Sequence, residues 1–208
     1  GVVWDAPYLF TILKITKSGA EFDGSLLKEK LTELKEMAQK HCDHMCILSS
    51  LSKTCLIAGL RFGFATANEH WIENMSSIIG RENLSSPTPS FIAGAAVLQR
   101  FLETPLSHEW VCRVLAGRLT VLMEEIPDYL MLPRNGMFGA LYVLVSTNDE
   151  GTKVADNLIK DQGIVTVPAN QFYGDKVKAI RLSLVSVPWS EGDESWIQSV
   201  SALKKALT

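Results

Sequence analysis

The stretch Ser50-Leu51-Ser52-Lys53-Thr54 follows an apolar run at residues 45–48, and Arg61 stands eight residues beyond the lysine. A short apolar run ahead of a turn reads as a buried strand, which sets Lys53 just past that strand's carboxyl end. Open α/β sheets bind their ligands along that edge. A lysine there, flanked by small hydroxyl residues, is oddly placed for a surface charge and well placed for a nucleophilic amine. Arg61 supplies a planar fork that matches a phosphate. Together they imply a site on an α/β fold that holds a phosphorylated aldehyde as a Schiff base.

The strand and turn have neighbours that fit such a sheet. Gly1-Val2-Val3-Trp4 reads as a buried parallel strand, which needs a partner on each side. It has no initiator methionine, so the expectation is the later part of a larger protein or one piece of a split one. Asp5-Ala6-Pro7-Tyr8 leaves that strand as a loop, and residues 25–41 carry a helical stripe at Leu26, Leu27, Leu31, Leu34 and Met37. Residues 45–49 and 61–67 (RFGFATA) read as strands and 69–79 as a helix. Asn83 to Ser90, rich in serine and proline, reads as a crossing loop. Two helices follow at 91–103 and 107–125, ended by Pro127 and the Pro133-Arg134-Asn135-Gly136 turn. Beyond Phe138 the pattern becomes strand 139–146, helix 151–160, strands 164–167 and 178–185, and a closing amphipathic helix 194–207. The expected domains are 1–110, part of a large mixed or parallel-sheet domain, and 111–208, a small α+β domain entered by the long helix.

Composition narrows the class. The chain has 208 residues, 47% apolar and 21% charged, as in ordinary globular proteins. A net charge of −3 gives no basic field, which argues against nucleic acid as a partner. No apolar run reaches the ~18 residues of a membrane span, and no signal-peptide pattern opens the chain, so neither a membrane partner nor export is expected and the default location is the cytoplasm. Cys42, Cys46, Cys55 and Cys112 lack the spacing of a disulfide framework and read as free buried thiols. The cluster from His41 to Cys46 falls where a helix hands over to a strand and lacks paired zinc spacing, so no metal is expected.

Four motifs now stand in order: Asp5-Ala6-Pro7-Tyr8, Ser50-Leu51-Ser52-Lys53, Gly59-Leu60-Arg61-Phe62-Gly63-Phe64, and Arg181-Leu182-Ser183-Leu184. In this order the chain resembles the class I/II aminotransferases, the fold-type I pyridoxal-phosphate enzymes, along about the later half of a full-length member. The resemblance implies pyridoxal 5′-phosphate as cofactor and an α-amino acid and a 2-oxo acid as substrates. It also implies a homodimer with its site at the subunit interface.

The resemblance assigns a role to each residue. Lys53 takes the part of the lysine that binds the cofactor as an internal aldimine and moves a proton between the substrate Cα and the cofactor's aldehyde carbon, which requires a neutral amine. Asp5 takes the part of a buried carboxylate paired with the pyridine nitrogen, which keeps the ring an electron sink. Taken alone, an aspartate after an apolar strand is a turn former or a cap. Tyr8 would reach the cofactor's 3-oxygen, its alternative being a tyrosine with an ordinary satisfied hydroxyl. Ser50 and Arg61 would hold the phosphate, while Ser52 either joins them or only shapes the turn. Arg181, a charge on an apolar strand, corresponds to the arginine that grips the substrate α-carboxylate. Ser85, Ser86 and Thr88 lie where the family presents a loop to the other subunit's site, and a plain connection is the equal alternative.

Two departures from the family pattern are local. Ala169 in Pro168-Ala169-Asn170 replaces a usual glycine, and Pro7 follows Asp5. The family's phosphate-cradling loop, ring-stacking aromatic and asparagine near the 3-oxygen belong to the region before the aspartate strand. The expected function is transamination. The alternatives are another fate of the substrate carbanion in a lyase, synthase or oxidase, or a non-catalytic fragment that packs against a partner.

Overall fold

The apolar run ahead of Lys53 forms a strand in the computed structural model, and the opening segment pairs with it in parallel. The structure describes residues 1–82, 87–104, 109–134, 136–139, 141–174, 177–188 and 191–208. In chain order the strands are β1 (Val2–Asp5), β2 (Leu13–Thr16), β3 (Gly19–Glu21), β4 (Met45–Ser50), β5 (Gly63–Thr66), β6 (Met137–Phe138), β7 (Tyr142–Ser146), β8 (Val167–Pro168) and β9 (Ala179–Ser183). The helices are α1 (Gly24–Lys40), α2 (Leu51–Thr54), α3 (Glu69–Glu82), α4 (Thr88–Glu103), α5 (Glu109–Glu125), α6 (Gly151–Gln162), α7 (Asn170–Tyr173) and α8 (Gly192–Leu207). They divide into two units, residues 1–12 with 23–111 and residues 13–22 with 112–208. The chain is therefore mixed α/β, as its sequence pattern implies.

The first unit carries a mixed sheet in the order β1-β4-β5, with β1 parallel and β5 antiparallel to β4. Helix α1 starts where Asp23 Oδ1 accepts from the amides of Ser25 and Leu26 at 2.9 and 3.0 Å, a cap that satisfies two orphan donors. Its buried residues, Leu27 and Leu34, lie two helical turns apart.

Several expectations for this unit change. The opening strand is parallel but not buried: Val2 and Val3 are 61% and 54% exposed, because β1 is the outer strand and pairs with β4 alone among the described residues. The strand expected at 61–67 begins at Gly63, because Arg61 ends a 3-10 turn in the left-handed region at φ 55°, ψ 42°. Thr88 to Ser90 belong to α4 rather than to a loop. Pro89 is tolerated there because first-turn amides have no partner inside the helix. Ser85 and Ser86 lie outside the described residues. Of the thiols expected to be buried, Cys46 and Cys112 are, Cys55 is half-buried and Cys42 is exposed in the turn between α1 and β4. Burial raises Cys46 and Cys55 above the ordinary thiol pKa.

In the second unit the sheet β7-β9-β8 is antiparallel. Val143 and Val145 on β7 and Ile180 and Leu182 on β9 are buried, while Tyr142, Leu144, Arg181 and Ser183 occupy the half-exposed face. Trp196, Val200, Leu203 and Leu207 form the buried stripe of α8. Arg118, 2% exposed on α5, ties these parts together. It donates to the Leu184 carbonyl at 2.7 Å, stacks on Trp196 at 5.4 Å, and its own carbonyl accepts from Trp196 Nε1 at 3.0 Å. Burial lowers the Arg118 pKa, opposed by Asp193. The β2–β3 hairpin, which reads as no element in the sequence, pairs with β6 and donates from the Ala20 amide to Thr120 Oγ1 of α5 at 2.9 Å. The strand expected at 164–167 shrinks to β8, since the Ile164 amide is taken by Leu158 at the end of α6.

Among the described residues no helix is long and apolar enough to cross a membrane, and no cluster of three or more His, Cys, Asp or Glu is arranged to hold a metal.

Two glycines on helices of this unit make opposite predictions. A Cβ on Gly151, at the start of α6, would collide with the Ala179 carbonyl of β9, whereas one on Gly117 of α5 would meet nothing. Gly151→Ala is expected to lower stability by about 1–3 kcal/mol. Gly117→Ala is expected to raise it by about 0.5–1 kcal/mol. Thermal denaturation of the two variants checks both signs.

Candidate active site

Lys53 owes its position to a tight junction at the end of β4. Ser50 is extended (φ −150°, ψ 141°) and caps α2, accepting from the Ser52 amide at 3.1 Å. Its hydroxyl donates to the Phe62 carbonyl at 3.2 Å, and the Leu51 amide donates to the same oxygen at 3.3 Å. Leu51 and Thr54, one turn apart, are both 2% exposed, and Thr54 Oγ1 donates back to the Ser50 carbonyl. Ser52 and Lys53 occupy the other side of this single turn and are half-buried.

The other expected site residues of this unit surround the junction. Helix α2 touches both neighbouring 3-10 turns, Leu9–Thr11 and Ala58–Leu60. Tyr8 caps the first turn and Arg61 ends the second. Tyr8 is half-buried, and its carbonyl accepts from the amide and hydroxyl of Thr11. Asp5 ends β1 opposite Leu48. By the alternation of strands it shares a sheet face with Leu48 and Ser50. A cavity of about 470 Å³ lies on the opposite face, lined by Leu31, Leu34, Ile47 and Phe64 among others, and Asp5, Tyr8, Ser50, Ser52, Lys53 and Arg61 do not line it.

Three details differ from the sequence reading. Asp5 is exposed rather than buried, since it stands on the outer strand. Arg61 is exposed, and its Nη1 donates to the Ala58 carbonyl of its own turn at 3.1 Å, which leaves the rest of the fork open. The Ser50 proton is already engaged by Phe62, so a phosphate bond from this hydroxyl requires it to rotate. Leu56 and Arg61 both hold positive φ, 56° and 55°, and bracket the turn between Lys53 and the arginine. Strained non-glycine residues of this kind cluster at functional sites.

Helix α4 braces both turns, a role that the sequence did not disclose. Phe101 meets Phe10 edge-on at 5.0 Å, and Phe91 lies 6.2 Å from Phe62. The Phe62 ring rests directly over Gly94, where any Cβ would collide with it. A glycine on a helix face is visible in the sequence, but its partner, more than 30 residues away, is not.

In the second unit Arg181 occupies the central strand β9, paired with Leu144 and Val167. Its guanidinium carbon lies 4.4 Å from the centre of the Tyr142 ring and 4.5 Å from that of Phe172. Its Nε is buried with no hydrogen-bond partner, and no carboxylate among the described residues pairs with it. An unpaired buried donor costs about 1–3 kcal/mol, so this group suits an incoming anion.

The sequence profile of the family described as aminotransferase class I and II matches residues 24–191. The chain belongs to this family. Histidinol-phosphate aminotransferase 2 of Mannheimia succiniciproducens is 31% identical over 143 residues, 68% of this chain and 38% of that protein. Histidinol-phosphate aminotransferase of Escherichia coli O157:H7 is 36% identical over 86 residues, 40% of this chain and 23% of that protein. Among solved structures, an aspartate aminotransferase double mutant of Thermus thermophilus superposes with a TM-score of 0.73 at 20% identity, covering 99% of this chain and 48% of that one. A Methanococcus jannaschii protein, described as similar in its active site to kynurenine aminotransferases, gives 0.71 at 17% identity, with 99% and 50% covered. These likenesses establish the aminotransferase fold. The chain spans about half the length of these structures, and its aligned part covers less than two-fifths of the curated relatives.

Enzymes of this family use pyridoxal 5′-phosphate. The donor set of the first unit fits that group: a half-buried amine, a hydroxyl cap, an open guanidinium fork and a carboxylate on the same sheet face as the cap.

The Phe62–Gly94 contact yields a prediction. Gly94→Ala displaces the ring whose carbonyl holds the start of α2. It is expected to weaken pyridoxal-phosphate binding in a fluorescence titration, while the charge of every donor stays the same. Unaltered binding would show that α4 does not set the Lys53 turn.

Proposed function

We propose that the protein is a pyridoxal-phosphate-dependent aminotransferase that moves an amino group between an α-amino acid and a 2-oxo acid. When bound, the cofactor supplies an electron sink for the negative charge that develops at the substrate Cα. The observation that carries the proposal is the half-buried Lys53 on its capped turn, between the Tyr8 and Arg61 turns. Lys53 Nζ would hold the cofactor and would move the proton at the substrate Cα. Asp5 pairs with the pyridine nitrogen and Tyr8 with the 3-oxygen. Ser50, Ser52 and Arg61 hold the phosphate, with Arg61 supplying the charge. Arg181 takes the substrate's carboxylate with its fork, which includes an Nε that the protein itself leaves without a partner.

The homodimer, a cytoplasmic location and a part in amino acid metabolism belong to the same proposal, with the family as their support. The curated relatives' names support a second reading of the donor, histidinol phosphate, with Arg181 gripping its phosphate instead of a carboxylate.

The test loads the protein with pyridoxal 5′-phosphate and compares it with Lys53→Ala. The expected result is a visible absorption band that depends on Lys53, bleaches with an amino donor and returns with 2-oxoglutarate. Transaminase turnover is expected to fall by about 10²–10⁴-fold in the variant. L-glutamate and L-histidinol phosphate, tried separately as donors, distinguish the two readings. A band that survives in Lys53→Ala, or ammonia released without an acceptor, would overturn the assignment.

A further inference from the structure

Arg181 is unusual in how it is held. A guanidinium on a strand ordinarily meets a carboxylate, but here its neighbours are two aromatic rings, Tyr142 from the adjacent strand and Phe172 from α7. Tyr142 and Arg181 stand on the same half-exposed face of the sheet as diagonal neighbours, Tyr142 being opposite Ser183, two residues along β9. Phe172 follows β8, whose Val167 pairs with Arg181, so the chain returns past the arginine within five residues. Phe172 is 53% exposed and therefore contributes little to the core.

The two kinds of interaction use different parts of the guanidinium. Aromatic rings attract its flat face through their quadrupole, whereas its N–H donors lie in the plane at its edge. Stacking can therefore fix the orientation of the plane without consuming any donor. A carboxylate pair within the protein would consume two. The buried Nε without a partner is what such an arrangement leaves behind.

We propose that Phe172 and Tyr142 are positioning residues for substrate: they clamp the Arg181 guanidinium by its faces and keep its edge preset for the substrate carboxylate. The proposal rests on the reading of Arg181 as the carboxylate-binding residue. A clamp of this kind lowers the ordering cost of binding and so acts on affinity rather than on the proton-transfer step.

The experiment measures binding of 2-oxoglutarate to the protein loaded with pyridoxal 5′-phosphate by calorimetry, together with KM and kcat in transamination. Phe172→Leu keeps the bulk and removes the π face. It is expected to raise Kd and KM about fivefold with kcat within twofold. Phe172→Tyr restores the π face and is expected to match the unaltered protein. Tyr142→Phe should do likewise, and Tyr142→Leu should repeat the loss. Equal affinity in both leucine variants, with Arg181→Gln alone losing binding, would overturn the clamp and leave the reading of Arg181 intact. If Arg181→Gln binds 2-oxoglutarate as well as the unaltered protein, the carboxylate reading falls and the clamp with it.

Discussion

One carbonyl oxygen, that of Phe62, accepts from both the Ser50 hydroxyl and the Leu51 amide, and the position of Lys53 depends on it. Through this oxygen the end of β4 and the start of α2 are pinned to the residue just before β5. The pin is held in turn by the Phe62 ring lying on Gly94 of α4. A one-turn helix cannot hold its own geometry, because nucleation costs more than a single hydrogen bond returns. Its order is borrowed from the strands on either side and from α4. The left-handed residues Leu56 and Arg61 are tolerated for the same reason: the surrounding packing over-determines the loop between them.

What the sequence disclosed was whatever is local. The strands at residues 2–5 and 45–50, the turn carrying Lys53, the amphipathic α1 and α8, and the strands around Arg181 follow from short apolar runs and helical stripes. The order of four motifs then led to the family. Long-range contacts were not legible. The hairpin at residues 13–21 has too few residues per strand for periodicity to register, and it is held by β6 and by Thr120, which bonds Ala20 from 100 residues away. Arg61 reads as strand because its neighbours favour one, yet the turn before it forces the left-handed region. The bare face of β1 was missed because apolar composition predicts burial without saying what covers the strand.

Two arginines of the second unit, Arg118 buried and Arg181 half-exposed, differ in what holds them. Arg118 donates to a backbone carbonyl and stacks on Trp196, so its charge is used in joining α5, β9 and α8. Arg181 stacks on two rings, and its Nε has no partner. Arg118 is 2% exposed, whereas Arg181 is half-exposed, so the second is the one that an anion can reach. A sequence shows both simply as arginines among apolar residues, so the distinction rests on geometry.

The central claim is that the Lys53 amine, and no other, holds the cofactor. The most direct measurement incubates the protein with pyridoxal 5′-phosphate, reduces it with borohydride to make the lysine–cofactor bond permanent, and maps the added mass by peptide mass spectrometry. The account predicts a single modified peptide, the one containing Lys53. Modification spread over surface lysines such as Lys14 and Lys35, or an unmodified Lys53 peptide, would contradict it.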